Sequence, residues 1–236
     1  MEVFSARASV STGNRGLLYF SPGVFAVAEA SIKSLKRALR RSTIERILAF
    51  DPASRAEWEA RILARVLALP SFQAAESVLL YIKAFAEEID ASPLVEQALG
   101  ASKRLVCPRV DRGAHRLILH EIRDPRVDLE PGTLGILEPR AGCRLVAPDE
   151  VDWVLVPGVV FDVRRNRIGR GGGHYDRFLP TLRDGVETWA AAFDGQVCES
   201  LPVEPHDVPL YGIITESRKL QRDEAGGNDQ FVNVSS

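Results

Sequence analysis

The sequence predicts an α/β domain: a mainly parallel sheet with helices, the first of them leading in at the N-terminus. Three observations predict it. Short all-apolar runs, such as Val78–Ile82 and Val151–Val156, read as strands covered on both faces. Segments of helical period alternate with those runs, the arrangement of layered α/β folds. The 236-residue chain is 45% apolar and 26% charged, with no internal repeat or long linker in its body. One domain over about residues 31–221 is therefore expected.

The elements follow in order. Ser31 to Phe50 repeats Ile32, Leu35, Leu39, Ile44, Ile47 and Leu48 as an amphipathic helix, with Ser31 as its expected cap. Asp51-Pro52 ends it and caps a second helix, since proline suits the first helical position. That helix carries Trp58, Ile62, Val66 and Leu69 in one stripe, and Pro70 stops it. After the Val78–Ile82 strand, Ser92-Pro93 opens a third helix that closes at Gly100. Further strands are predicted at Arg104–Cys107, Leu117–Ile122, Val151–Val156, Thr188–Phe193 and Tyr211–Thr215. Residues 1–30, rich in Ser and Arg and poor in acids, read as an extension, disordered or a targeting leader. Residues 222–236 read as a flexible tail.

Composition excludes several classes. The formal charge of −2 supplies no global field for nucleic acid. No apolar run approaches the roughly 18 residues that a membrane span requires. Cys107, Cys143 and Cys198 are odd in number and widely spaced, which argues against a disulfide framework or a zinc site and for small core thiols. A cytoplasmic monomer acting on small molecules is expected, or a mitochondrial protein if residues 1–30 are a transit peptide. His115 and His120 are expected at the surface.

The chemistry is concentrated in Pro157–Leu179, PGVVFDVRRNRIGRGGGHYDRFL. Consecutive glycines cost backbone entropy but let a ligand approach the main chain. A glycine loop feeding a helix presents free N–H groups to an anion. Arg167 and Arg170 bracket the loop as planar donors for phosphate oxygens. Asp176 follows as a hard oxygen ligand suited to Mg²⁺. The pattern is neither a Walker A loop nor a dinucleotide fingerprint. Residues 31–65 hold nine cations and four acids, and Lys36 and Arg40 share one helix face, so they can grip a polyphosphate.

These residues resemble the 5-formyltetrahydrofolate cyclo-ligase family. Pro157-Gly158-Val159-Val160-Phe161-Asp162 is similar to its P-G-x-x-F-D. Arg167-Ile168-Gly169-Arg170-Gly171-Gly172-Gly173-His174-Tyr175-Asp176 is similar to its R-[LI]-G-R-G-x-G-[YH]-Y-D. Lys36-Arg37-Ala38-Leu39-Arg40, Tyr81 with Glu88-Ile89-Asp90, Gly135–Pro139, Phe193–Gln196, Leu201-Pro202, His206-Asp207 and Ile214–Glu216 arrive in the family's order. Asn166 stands where the family has glycine, His174 where it usually has tyrosine, and Ala91 where it often has threonine.

The resemblance implies a three-layer domain of the NagB/RpiA/CoA-transferase kind. It implies conversion of 5-formyltetrahydrofolate to 5,10-methenyltetrahydrofolate with ATP and Mg²⁺. It places ATP on Lys36, Arg37, Ala38, Leu39 and Arg40 and on the stretch from Arg167, Ile168 and Gly169 to Tyr175. It places folate on Lys83, Glu88 and the run Arg170, Gly171, Gly172, Gly173 and His174. Arg170, His174 and Tyr175 are its implied catalytic residues, and Asp176 and Asp207 its implied Mg²⁺ ligands. A relative that keeps the nucleotide site but takes another substrate is the alternative. A polyanion module using the basic first helix is a further one.

Overall fold

A computed structural model describes residues 25–132, 135–222 and 232–233. In chain order the helices are α1 (Phe25–Leu48), α2 (Pro52–Leu67), α3 (Pro70–Ala74), α4 (Ser92–Gly100), α5 (Pro125–Asp128) and α6 (His174–Phe178). The strands are β1 (Ser77–Leu79), β2 (Arg104–Asp111), β3 (Arg116–Ile122), β4 (Leu129–Pro131), β5 (Leu137–Pro139), β6 (Leu145–Val146) and β7 (Trp153–Leu155). They continue as β8 (Val160–Asp162), β9 (Arg167–Ile168), β10 (Glu187–Ala191), β11 (Val197–Cys198), β12 (Gly212–Ile214), β13 (Arg218–Gln221) and β14 (Val232–Asn233).

Among the described residues, one sheet runs in the order β14-β13-β12-β10-β7-β1-β2-β3-β6. Its centre, β12-β10-β7-β1-β2, is parallel. Both edges are antiparallel, so the sheet as a whole is mixed rather than mainly parallel. The reason is local: Asp111 to Arg116 is a tight connection, which can only return the chain antiparallel, whereas parallel neighbours need a crossover. β14 extends the other edge from within the stretch expected as a loose tail.

Alternation along the central strands makes two cores. Val78, Leu105, Trp153, Trp189 and Ile214 face one way and pack with Ile62 and Val66 of α2 and Leu94 of α4. Leu79, Val106, Val154, Ala190 and Ile213 face the other way and meet Phe161, Phe178 and Leu179. Side chains of a strand point alternately to its two faces, so both faces of the sheet are covered and three layers result. The second cover is made by a small sheet, β11-β8-β9, with the short helix α6.

The helix boundaries refine the sequence expectation. Asp51 caps α2, accepting from the Ser54 amide at 2.9 Å. α1 starts at Phe25, so Ser31 lies within the helix and does not cap it. Extending beyond the main core, α1 sets Leu39 and Ile44 against Val159, Val160, Ile168 and Leu201 of the small-sheet layer. His120, expected at the surface, is buried, because its position on β3 turns it inward, where Nδ1 lies 3.1 Å from the Cys143 carbonyl. Cys107 is in the core as expected, and burial pushes its thiol up to about 12.

Candidate active site

The site is assembled from β8 upward. Gly158 is required by a close approach: a Cβ there would stand 2.5 Å from the Phe161 ring. Phe161 is fully buried, so the ring cannot yield. The next residue, Asp162, is also fully buried, and four donors satisfy its carboxylate. The amides of Arg164 and Asn166 reach Oδ1 at 2.9 Å each, while Asn166 Nδ2 and the Leu201 amide reach Oδ2 at 2.9 and 3.0 Å. A carboxylate accepting several N–H groups suits a tight turn whose amides have no ladder partner. This turn returns the chain as β9 and delivers the glycine loop to the surface.

The loop Gly169–Gly173 uses positive φ at Gly171 (100°) and Gly173 (61°), where side chains are strained. It leads into α6, which is only five residues long. The helix contribution to anion binding is therefore smaller than the sequence suggested, and positive side chains carry more of it. Arg40 of α1 crosses to the loop, with Nε donating to the Gly169 carbonyl at 2.7 Å. A Cβ on Gly171 would sit 3.8 Å from Arg40 Nη2. Burial and then the charge of Arg37 hold the Arg40 pKa below its usual value, and Arg170 is depressed by burial and by Arg40. Arg40 and Arg170 stay charged at neutral pH, so the loop is flanked by mutually repelling cations, a field that favours an anion. The two expected halves of the nucleotide site, Lys36–Arg40 and Arg167–Tyr175, thus meet. Ala38 and Arg37 are exposed on α1, while Leu39 and Ile168 are packing residues rather than open contacts.

Arg167 and Asp176 bond to one another. Arg167 is buried, and its Nη2 lies 2.9 Å from Asp176 Oδ1. The guanidinium is 5.7 Å from the Tyr175 ring centroid. Its Nε and the Tyr175 hydroxyl are buried without a hydrogen-bond partner among the described residues. Buried polar atoms are nearly always satisfied, so two orphans beneath one loop mark a place for a ligand or water. Burial raises the Tyr175 pKa, which keeps the phenol neutral and able to donate. His174 is half-buried, with Nδ1 3.5 Å from Arg177 Nη2. A Cβ on Gly172 would lie 2.7 Å from the His174 ring, so the ring packs directly against the loop backbone.

The facing wall is the segment after β1. Tyr81 donates to the Ile89 carbonyl at 3.0 Å. Glu88 turns its Oε2 back onto the amides of Ala84 and Phe85, at 2.8 and 3.2 Å. Burial raises its pKa despite those bonds and the charge of Lys83. Arg170 reaches this wall. It pairs with Glu87 and stacks on Phe85, with its guanidinium carbon 3.5 Å from the ring centroid. Sequence reasoning missed Glu87; its position next to Glu88 was the available signal.

Lys36 does not point at open space. Its Nζ lies 2.8 Å from Glu204 Oε2 and 2.7 Å from Asp207 Oδ2. Burial pulls its pKa down, but the two carboxylates outweigh that and leave it raised. Glu204, His206 and Asp207 bring their ligand atoms within 4.8 Å of one another. Asp207 and Asp176 both act on the charge of Arg167, so they share one neighbourhood. Carboxylate oxygens are the right donors for Mg²⁺. Here, though, cationic side chains already meet both: Lys36 at Asp207 and Arg167 at Asp176.

A family model described as the 5-formyltetrahydrofolate cyclo-ligase family matches residues 32–216. A 5-formyltetrahydrofolate cyclo-ligase of Escherichia coli K12 is 32% identical over 176 residues, covering 74% of this chain and 96% of that protein. A relative from Arabidopsis thaliana, named as the mitochondrial enzyme, is 30% identical over 212 residues, covering 79% of this chain and 76% of that one. The NMR structure of Aquifex aeolicus 5,10-methenyltetrahydrofolate synthetase superposes with a TM-score of 0.71 at 30% identity, covering 82% of this chain and 96% of that chain. An α/β layer fold, an arginine-flanked glycine loop joined to α1, and relatives matched over most of their length converge on one assignment: the chain belongs to the 5-formyltetrahydrofolate cyclo-ligase family of enzymes.

Proposed function

We propose that this chain converts 5-formyltetrahydrofolate and ATP to 5,10-methenyltetrahydrofolate, ADP and phosphate. The observation that carries this reading is the Arg40–Gly169 hydrogen bond, which brings the basic face of α1 onto the glycine loop. Arg170, on that same loop, touches the wall that bears Glu88.

A formamide carbon is a poor electrophile because its nitrogen donates into it. In the proposed reaction the formyl oxygen takes the γ-phosphoryl group and becomes a leaving group. N10 attacks the carbon and loses its proton, and phosphate departs with the oxygen. Such a transfer asks the protein for alignment and neutralisation of charge rather than covalent participation. Arg37, Arg40 and Arg170 supply positive charge around the loop, and the Gly169–Gly173 backbone allows close approach of phosphate. Tyr175 offers its unpartnered hydroxyl, and His174 presents a ring edge against the loop. Glu88 suits the paired N–H donors of a pterin, with Lys83 beside it. Asp176 and Asp207, on giving up part of their contact with Arg167 and Lys36, are the residues that would hold Mg²⁺, and the ion would supply screening of phosphate charge.

The test is the absorbance of the methenyl product, counted against ADP. No product from 5-formyltetrahydrofolate under saturating Mg-ATP would overturn the reading. A nucleotide bound without any folate binding would favour the alternative of a relative with another substrate. The domain division follows the same reading, with a catalytic unit over about residues 31–221, although α1 begins before it at Phe25 and β14 (Val232–Asn233) joins its sheet edge from beyond it. The protein acts as a monomer in the cytoplasm. Fusing residues 1–30 to a reporter tests the mitochondrial alternative, the compartment named for the Arabidopsis relative.

A further inference from the structure

We infer that Glu87 is a positioning residue that fixes the guanidinium of Arg170 at the seam between the two substrate half-sites. The inference rests on the reading of Arg170 as the residue between those half-sites. It starts from the turn that carries Glu87. Five hydrogen bonds hold residues 84–88. The Glu88 amide donates to the Phe85 carbonyl at 3.1 Å, and Glu88 Oε2 accepts from the amides of Ala84 and Phe85. From α2, Arg55 Nη2 donates to the carbonyls of Ala86 and Glu88 at 2.6 and 3.2 Å. Arg55 is itself braced by Glu59 at 3.1 Å and stacks on Phe193. The turn is therefore anchored to the core of the molecule and presents Glu87 from a fixed backbone.

Arg170 has the opposite character. Its side chain is 37% exposed, and the glycines beside it offer no side chains to pack against it. Two contacts give it a place, the Glu87 carboxylate and the face of Phe85. A guanidinium has one plane and a fixed fork, so a carboxylate at its edge and a ring beneath it define orientation as well as position. Glu87 is 93% buried, and the cost of burying a carboxylate often equals or exceeds what its ion pair returns. Such a pair is poor as a stabilising device and well suited to specifying geometry. It also tempers the repulsion between Arg170 and Arg40.

The experiment is a double-mutant cycle on the full-length protein, using Glu87→Gln, Arg170→Ala and the pair. The Gln variant keeps shape and removes charge. It is expected to lower kcat about tenfold through misalignment while the KM for ATP does not rise. Inorganic tripolyphosphate, followed by calorimetry, is expected to bind about fourfold tighter, because the charge of Arg170 is no longer held by its ion pair and is released to the phosphate. Both effects should vanish in the Arg170→Ala background. Glu87→Asp, which retains charge, should return tripolyphosphate affinity to the wild-type value. Equal effects of Glu87→Gln in both backgrounds, or no effect in the parent, would overturn the inference. Coupling seen with tripolyphosphate in a protein that forms no methenyl-folate would uphold the positioning role and overturn the cyclo-ligase reading.

Discussion

The Arg167–Asp176 contact changes what a mutation at Asp176 means. A metal ligand on a mobile surface could be replaced without harm to the fold. Here Asp176 is the partner of a guanidinium that is 4% exposed. Removing one member of a buried pair leaves an uncompensated charge, worth about 3 kcal/mol. Asp176→Asn is therefore expected to lose both activity and thermal stability. An unchanged melting temperature would show that the pair contributes nothing to folding. Glu88 carries the clearest pH signature. Its carboxyl binds a proton more tightly folded than unfolded, because burial disfavours the anion. Its favourable contribution is complete below the ordinary carboxylate value and is lost as pH rises through the raised one. Glu88→Gln, which keeps an acceptor for the Ala84 and Phe85 amides, should gain stability on the wild type as pH rises from the ordinary carboxylate range through the raised one. Urea midpoints measured across that range would expose a wrong sign as a difference that shrinks or stays flat.

At the scale of elements, the β8–β9 hairpin is the platform on which the chemistry stands. Asp162→Ala would strand four donors, at a cost of about 3 kcal/mol or more, and would release the glycine loop from its register. The expected result is a lowered urea midpoint together with loss of turnover. A stable but inactive variant would instead point to direct contact with substrate. The hairpin also shows how much of the site the sequence reveals. The glycine run and its flanking residues are contiguous, so the loop is visible as a motif. Asp162 is visible in the same motif, and three of its donors are local, yet its bond to the Leu201 amide, 39 positions away, is not. Glu204, meeting Lys36 across 168 positions, leaves no local periodicity at all. The antiparallel edges escaped for a related reason, since a short apolar run looks the same whichever way its neighbour runs. His120 escaped because burial of one polar residue on a strand is decided by a single distant carbonyl.

On the scale of the molecule, α1 is an arm laid across the small sheet and rooted in the main core by Ile47. Three polar staples hold it: Lys36 to Glu204 and Asp207, Arg40 to Gly169, and Arg46 to the Gly195 carbonyl at 2.7 Å. Leu39 and Ile44 supply its apolar footing. A ligand that binds both arm and loop must tighten this dock. Saturating nucleotide at about 100 times Kd is expected to add about 2.7 kcal/mol of stability and to slow amide exchange in α1. Raised melting temperature without any protection of α1 would place the nucleotide elsewhere.

The arm has a consequence for how the protein is born. α1 is synthesised before its partners, since the Asp207 carboxylate that receives Lys36 lies 171 residues later. Domains are made from the N-terminus onward at a finite rate, and distant contacts must wait for their partners. A nascent chain therefore carries this basic helix without its carboxylate partners until residue 207 has been made.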